Sequence, residues 1–184
     1  TLAAWSPIKL FLKDARYTIT PPSSPSDGAW SFSLAKTDAA SLSGNILTLL
    51  KAGNVVVNAA QAKSKNSVYG PSATSLKVTI VKNPTTVGTL APLVAYLGEP
   101  SVEVVNPTSD SPGSWNYSTS DQKIAKVKNG VIVPLAEGVV TVTATQNATE
   151  IYDASTPVQT TLVVGPAMQT PTVGNFDNLI TYVQ

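Results

Sequence analysis

The chain has 184 residues, with 12 Lys and Arg against 11 Asp and Glu, and contains no histidine or cysteine. A net charge of +1 provides no electrostatic footprint for nucleic acid and no basic face for an anionic membrane, and no apolar run approaches the ~20 residues that span a bilayer. Without His or Cys there is no Ser-His-Asp triad, thiol nucleophile, imidazole metal ligand or disulfide, so packing alone must hold the fold.

Period-two patterning and turn signals predict strands near residues 6–12, 15–20, 29–34, 39–42, 45–50, 54–61 and 74–81. A second set is predicted near 90–97, 101–106, 114–119, 124–127, 130–134, 139–146 and 158–164. Trp5 stands at the start of the first strand and reads as its apolar anchor, a place taken later by Leu90 and Phe176. The segment Pro22–Ser33 carries Trp30 and Phe32 two residues apart, hence on one face of a strand. It returns 85 positions later with Trp115 and Tyr117. Equivalence in two copies favours structure over sugar stacking, so Trp30, Phe32, Trp115 and Tyr117 are expected to fill a core between sheets. On that expectation Trp115→Ala costs about 3–5 kcal/mol.

Ser43-Gly44-Asn45 and Lys128-Asn129-Gly130 read as matching tight hairpins, since Gly and Asn accept positive φ at little cost. A short turn is a further option for Asp38–Leu42. Gly53–Gln61 aligns with Gly138–Gln146. In the second copy Val140, Val142 and Ala144 point inward as core residues, while Thr141, Thr143 and Thr145 meet water. Tyr69 pairs with Tyr152, and both are candidates for corner residues that bond to the backbone. Beyond the tyrosines, matching Leu76 and Val78 with Leu162 and Val164 makes the offset 86.

Lys82–Thr86 joins the copies, and Gly165–Pro171 is the matching joint. The first contains one proline and no glycine, which should limit bending and stack modules as a rod. Val173-Gly174-Asn175-Phe176 repeats the theme of Val87-Gly88-Thr89-Leu90, so a third copy begins. Thr1 falls at the position matching Thr86, and the chain reads as a piece of a longer polypeptide. The expected organisation is module 1 over 1–83, module 2 over 84–169, and the first strand of an incomplete third module over 170–184. The fold class is all-β: tandem immunoglobulin-like β-sandwiches of about seven strands each.

The run Gly113-Ser114-Trp115-Asn116-Tyr117-Ser118-Thr119-Ser120, then Ile124-Ala125-Lys126-Val127 with Asn129-Gly130-Val131, then Gly138–Gln146, resembles the bacterial immunoglobulin-like domain, group 2. Domains of that family occur in bacterial surface adhesins and tailed-phage structural proteins. The likeness covers both full copies. Repeat 1 departs from it at Leu34-Ala35-Lys36-Thr37 and at Asn58, which affects loop geometry more than fold. The resemblance implies an extracellular, bacterial cell-surface or virion setting, with no enzyme activity and no single shared ligand.

Candidate chemistry is sparse. Glu99 with Glu103, Asp110 with Asp121, and Glu150 with Asp153 lie close in sequence, but each sits in a turn or thin strand with no cleft implied. The joints contain no acid, which argues against calcium there. Asn116-Tyr117-Ser118 and Asn147-Ala148-Thr149 match a glycosylation pattern by chance in a prokaryotic or phage protein. No catalytic, cofactor-binding or metal residue is assigned, and no cofactor is expected.

The leading reading is a non-enzymatic structural spacer or decoration array, part of a phage virion protein such as a head fibre, tail or decoration protein. The competing reading is a bacterial surface adhesin or a glycan- or receptor-binding module. The expected partners are neighbouring modules of the same longer chain, with virion proteins, cell-surface proteins or host glycans as further partners. No nucleic-acid partner and no membrane insertion is expected.

Overall fold

Alternation of apolar and hydroxyl residues decides where this chain forms strands, because a strand sends successive side chains to opposite faces. A computed structural model describes residues 5–35, 37–66 and 68–169. In repeat 1 the strands are β1 (Ile8–Phe11), β2 (Arg16–Thr18), β3 (Trp30–Leu34), β4 (Ala40–Ser43), β5 (Ile46–Leu49), β6 (Gly53–Gln61) and β7 (Ser72–Val81). In repeat 2 they are β8 (Leu93–Tyr96), β9 (Trp115–Thr119), β10 (Ala125–Lys128), β11 (Val131–Pro134), β12 (Gly138–Gln146) and β13 (Val158–Gly165). The helical content of the described residues is one 3-10 turn, Leu12–Asp14, which Asp14 closes by accepting the Phe11 N–H at 3.3 Å. Asp38–Leu42, considered as a turn, enters strand β4 instead.

Repeat 1 is a seven-stranded immunoglobulin-like sandwich. One sheet runs β1-β7-β6-β3 and the other β2-β5-β4. β1 pairs with β7 in parallel, and the remaining pairs are antiparallel. The inward residues of both sheets form one aliphatic cluster that includes Leu10, Leu47, Leu49, Val55, Val57, Leu76, Val78 and Ile80. Fully burying a side chain of this size stabilises by about 1.5–3 kcal/mol, so the cluster is the main source of cohesion.

Repeat 2 is built on the same plan, with a sheet in the order β8-β13-β12-β9 and a hairpin β10-β11. The strand expected over 101–106 shrinks to a single bridge, Val102 to Ile132. Pro100 and Pro107 bracket this segment and restrict the backbone beside them, so a regular ladder does not extend. The hairpin turns differ in detail. Asn129 and Gly130 both have positive φ (52° and 77°), whereas in repeat 1 the positive φ is at Gly44 (59°). Both choices suit a two-residue hairpin loop.

The register corrects the offset after the tyrosines. Val78 pairs with Val55, and Leu162 with Val140; Ile80 pairs with Gly53, and Val164 with Gly138. Ile80 therefore corresponds to Val164 and Val78 to Leu162, an offset of 84 instead of 86. A slide of two residues preserves every inward and outward side chain, so alternation alone could not detect it.

Contacts group the chain into two compact units. Among the described residues, the first takes those up to Gly88 with Thr108–Trp115 and Thr145–Pro157; the second takes Thr89–Pro107, Asn116–Ala144 and those from Val158 onward. The expected third-module strand over 170–184, with Phe176, lies outside the described residues.

Candidate functional site

The six residues expected in the core divide into two kinds. Val140 and Val142 are buried at 3% and 0% exposure. Trp30, Phe32, Trp115 and Tyr117 face the same side as the buried residues but are only half-buried. They lie on β3 and β9, which are edge strands, so each has a neighbouring strand on one side only. The enclosed core is aliphatic, and the indoles flank it. Phe32 packs against the repeat 1 cluster together with Trp5, their ring centroids 6.4 Å apart.

A buried polar residue is the feature that sequence reasoning missed. Gln61 and Gln146 continue the inward phase of β6 and β12, and each is 2% exposed. Gln146 donates from Nε2 to the carbonyl oxygens of Ser111 and Gly113, both at 2.7 Å, and its Oε1 accepts from the Ser109 hydroxyl. Gln61 donates to Ser26 O at 2.9 Å and Gly28 O at 3.0 Å and accepts from Ser24 at 2.6 Å. In both loops the two serines also receive backbone N–H groups two residues on. Each glutamine thereby satisfies a loop that would otherwise bury unpaired carbonyls. The legible signal was an apolar alternation ending on Gln at the same place in both copies.

Gly28 and Gly113 complete this arrangement. A Cβ on Gly28 would lie 1.9 Å from Ala62 O, and one on Gly113 would lie 2.1 Å from Asn147 O. The backbones therefore approach as closely as they do only with glycine present.

The tyrosine pairing is reproduced in the geometry. Ser64 Oγ accepts the Tyr69 N–H at 3.0 Å, and Thr149 Oγ1 accepts the Tyr152 N–H at 2.9 Å. The hydroxyl that ties each corner comes from Ser or Thr.

Within the first unit, residues 82–88 are held by two loops. Asn83 is 1% exposed and lies in a parallel bridge with Tyr152. Its N–H donates to Ile151 O at 2.8 Å, its Nδ2 donates to the same oxygen at 3.2 Å, and its carbonyl accepts from the Asp153 N–H at 2.9 Å. Lys82 Nζ reaches Thr149 O at 2.6 Å, and the Thr85 hydroxyl donates to Asp153 O. Asn83 Oδ1 is buried and has no partner among the described residues. On the other side Asp110 Oδ1 accepts the Thr86 N–H at 2.9 Å, and Thr108 O accepts the Gly88 N–H at 2.8 Å.

Three of the six carboxylates considered for catalysis accept backbone N–H groups. Glu99 accepts the Tyr96 N–H, Asp110 the Thr86 N–H and Asp121 the Lys123 N–H. Asp38 is held below its usual range by the Lys51 ammonium that donates to it. Desolvation pushes the Tyr117 phenol up; its hydroxyl donates to Asn106 Oδ1. No group of three or more His, Cys, Asp or Glu residues able to hold a metal occurs among the described residues. Among them, too, no helix is long and apolar enough to cross a membrane.

Residues 113–158, about a quarter of the chain, match the family model described as the hyaluronate lyase N-terminal beta-sheet domain. That stretch begins at Gly113 and includes Gln146. No curated protein matches the chain. Among solved structures, Drosophila N-cadherin EC1-3 is similar at 12% identity and a TM-score of 0.49, over 89% of this chain and 64% of that one. Human protocadherin-24 EC1-2 is similar at 11% identity and a TM-score of 0.35, over 90% of this chain and all of that one. Surface layer protein SbsC, domains 1–6, is similar at 13% identity and a TM-score of 0.36, over 76% of this chain and 20% of that one. The chain spans less than two thirds of the first cadherin ectodomains it matches. Likeness at this level says nothing of ligand or partner.

Proposed function

We propose that the chain is a non-enzymatic spacing segment of a module array displayed on a surface, of the kind found in structural proteins of tailed phages. Each module corresponds to one sequence repeat, 1–83 and 84–169, and a further module of the group 2 bacterial immunoglobulin-like type begins after 169. The observation that carries this reading is the duplicated glutamine clamp: Gln61 and Gln146 make the same three bonds in two copies. Polar chemistry kept in both repeats is spent on holding loops, which suits a part whose task is to keep its shape under load. The strand faces rich in Ser and Thr and the sequence resemblance support an extracellular or virion setting.

Single-molecule extension tests this directly. The spacer reading expects two successive unfolding events, each releasing roughly 300 Å of chain, since an extended residue spans about 3.6 Å. One event releasing the whole length would sink the two-module organisation. Tight binding to a glycan panel by the folded chain would sink the purely mechanical role.

A second reading, a receptor-binding module of an adhesin, is favoured by one observation. Val94, Val163 and Val139 are register partners across β8, β13 and β12 and are 63%, 42% and 62% exposed. A contiguous exposed apolar row is where a protein partner would dock. Under this reading Val139→Thr with Val163→Thr abolishes binding to a target surface and leaves the fold intact.

A further inference from the structure

Ile151 and Asp153 hold Asn83 by their backbone: the carbonyl of the first and the N–H of the second bond to it. Repeat 1 has the same corner. Ser64 and Tyr69 make the bond that Thr149 and Tyr152 make, so Val68 takes the place of Ile151 and Gly70 that of Asp153. In repeat 1 no described residue bonds to the Val68 carbonyl or the Gly70 N–H. Val68 is 69% and Tyr69 44% exposed. A groove runs beside the corner, lined by Ser24, Pro25, Ser26, Gln61, Tyr69 and Gly70 among others.

We infer that the Val68–Gly70 corner is a docking edge for the end of a last strand from another module of this kind, entering as Asn83 enters at Ile151–Asp153. The occupant is specified by the copy already seated. It is an extended segment of the form Val-Lys-Asn-Pro-Thr, as in Val81–Thr85, whose asparagine pairs its backbone with Val68 O and Gly70 N–H and adds a side-chain bond to Val68 O. The parallel bridge needs backbone atoms and one Asn side chain, so modules that differ elsewhere can use it. Capture at this corner is weaker than at Ile151. Asp110, which also ties residues 82–88 by accepting the Thr86 N–H, is replaced in repeat 1 by Pro25, which has neither a carboxylate nor an N–H. The inference rests on the spacer reading, because it supplies the contact by which one module would follow another.

The test extends the full chain at its N-terminus by a copy of Val81–Thr85. Thr1 corresponds to Thr86, so the added asparagine falls where Asn83 falls ahead of repeat 2. Amide hydrogen exchange is read at Gly70, with Val140 and Leu162 as controls for an intact fold. The extension should slow exchange at Gly70 at least about fivefold, as one added hydrogen bond would. The same extension with alanine in place of its asparagine should leave it within about twofold. Exchange at Gly70 unchanged by the extension, or slowed equally by the alanine form, overturns the inference. Asn83→Ala in the unextended chain must speed exchange at Asp153, and failure there also overturns it. None of these readouts depends on glycan binding or on the number of unfolding events, so the spacer reading stands or falls separately.

Discussion

Gln61 and Gln146 occupy the same inward position at the ends of β6 and β12, and each binds two carbonyls and one serine hydroxyl of the loop beside it. A primary amide suits this place. Its two N–H groups meet two carbonyls while its oxygen accepts from a hydroxyl, and no charge is buried. Gln146→Ala leaves the Ser111 and Gly113 carbonyls without that donor in a buried setting. The expected loss is about 2–4 kcal/mol, from two abandoned groups at about 1–3 kcal/mol each with partial relief by water. Urea unfolding of the variant checks it. A loss below about 1 kcal/mol would show that the loop finds other partners.

The glycines beside the clamp provide a sharper test, because the obstacle to a side chain is backbone. Gly113→Ala places a methyl 2.1 Å from Asn147 O, which cannot move without disturbing the Asn147 N–H bond to Ser114 O. The expected cost is about 2–3 kcal/mol, in the range for overpacking. Gly70→Ala is the control: a Cβ added there would meet nothing within 4 Å, and the change should fall within about 0.5 kcal/mol of the parent. Paired melting curves separate the two.

Strand positions were legible in this chain because Val and Thr alternate over long runs, as in Val139–Thr145, and because two copies of each pattern could be compared. The clamp was not legible in its geometry. Gln61 and Gln146 were visibly equivalent, but a glutamine closing an apolar alternation has the same letter whether it turns into a loop or out to water. The register after Tyr152 differs by two residues from the one that alternation suggests, since alternation is blind to even shifts. The hold on Asn83 was invisible for another reason. Its partners, Ile151 and Asp153, contribute backbone atoms, which every sequence supplies.

The half-burial of the indoles changes one expected magnitude. Trp115→Ala would cost about 3–5 kcal/mol if the side chain were fully enclosed. On an edge strand with part of the ring in solvent, less apolar area leaves water and the cavity opens outward. About 2 kcal/mol is the appropriate expectation. Chemical denaturation of Trp115→Ala beside Ile132→Ala, whose side chain is 1% exposed, should rank the isoleucine change as the larger. The reverse order would return the indole to the centre of the core.

Tyr117 makes the alkaline limb of stability testable. Desolvation raises its phenol pKa in the folded state, so the folded chain keeps this proton to higher pH than the unfolded chain does. The unfolded state then binds fewer protons in the window above the ordinary tyrosine value of about 10, and stability must fall as pH rises through it. Below that value both states hold the proton and the contribution is fully present. The hydroxyl also donates to Asn106, a bond that ionisation removes. In an ultraviolet difference titration of the folded chain, a phenol component should ionise above the ordinary tyrosine range, and Tyr117→Phe should delete it. The same variant should lose stability less steeply than the parent above pH ~10. Equal slopes would mean that the ring is as well hydrated in the folded chain as in the unfolded one, which its place on the inward face of β9 argues against.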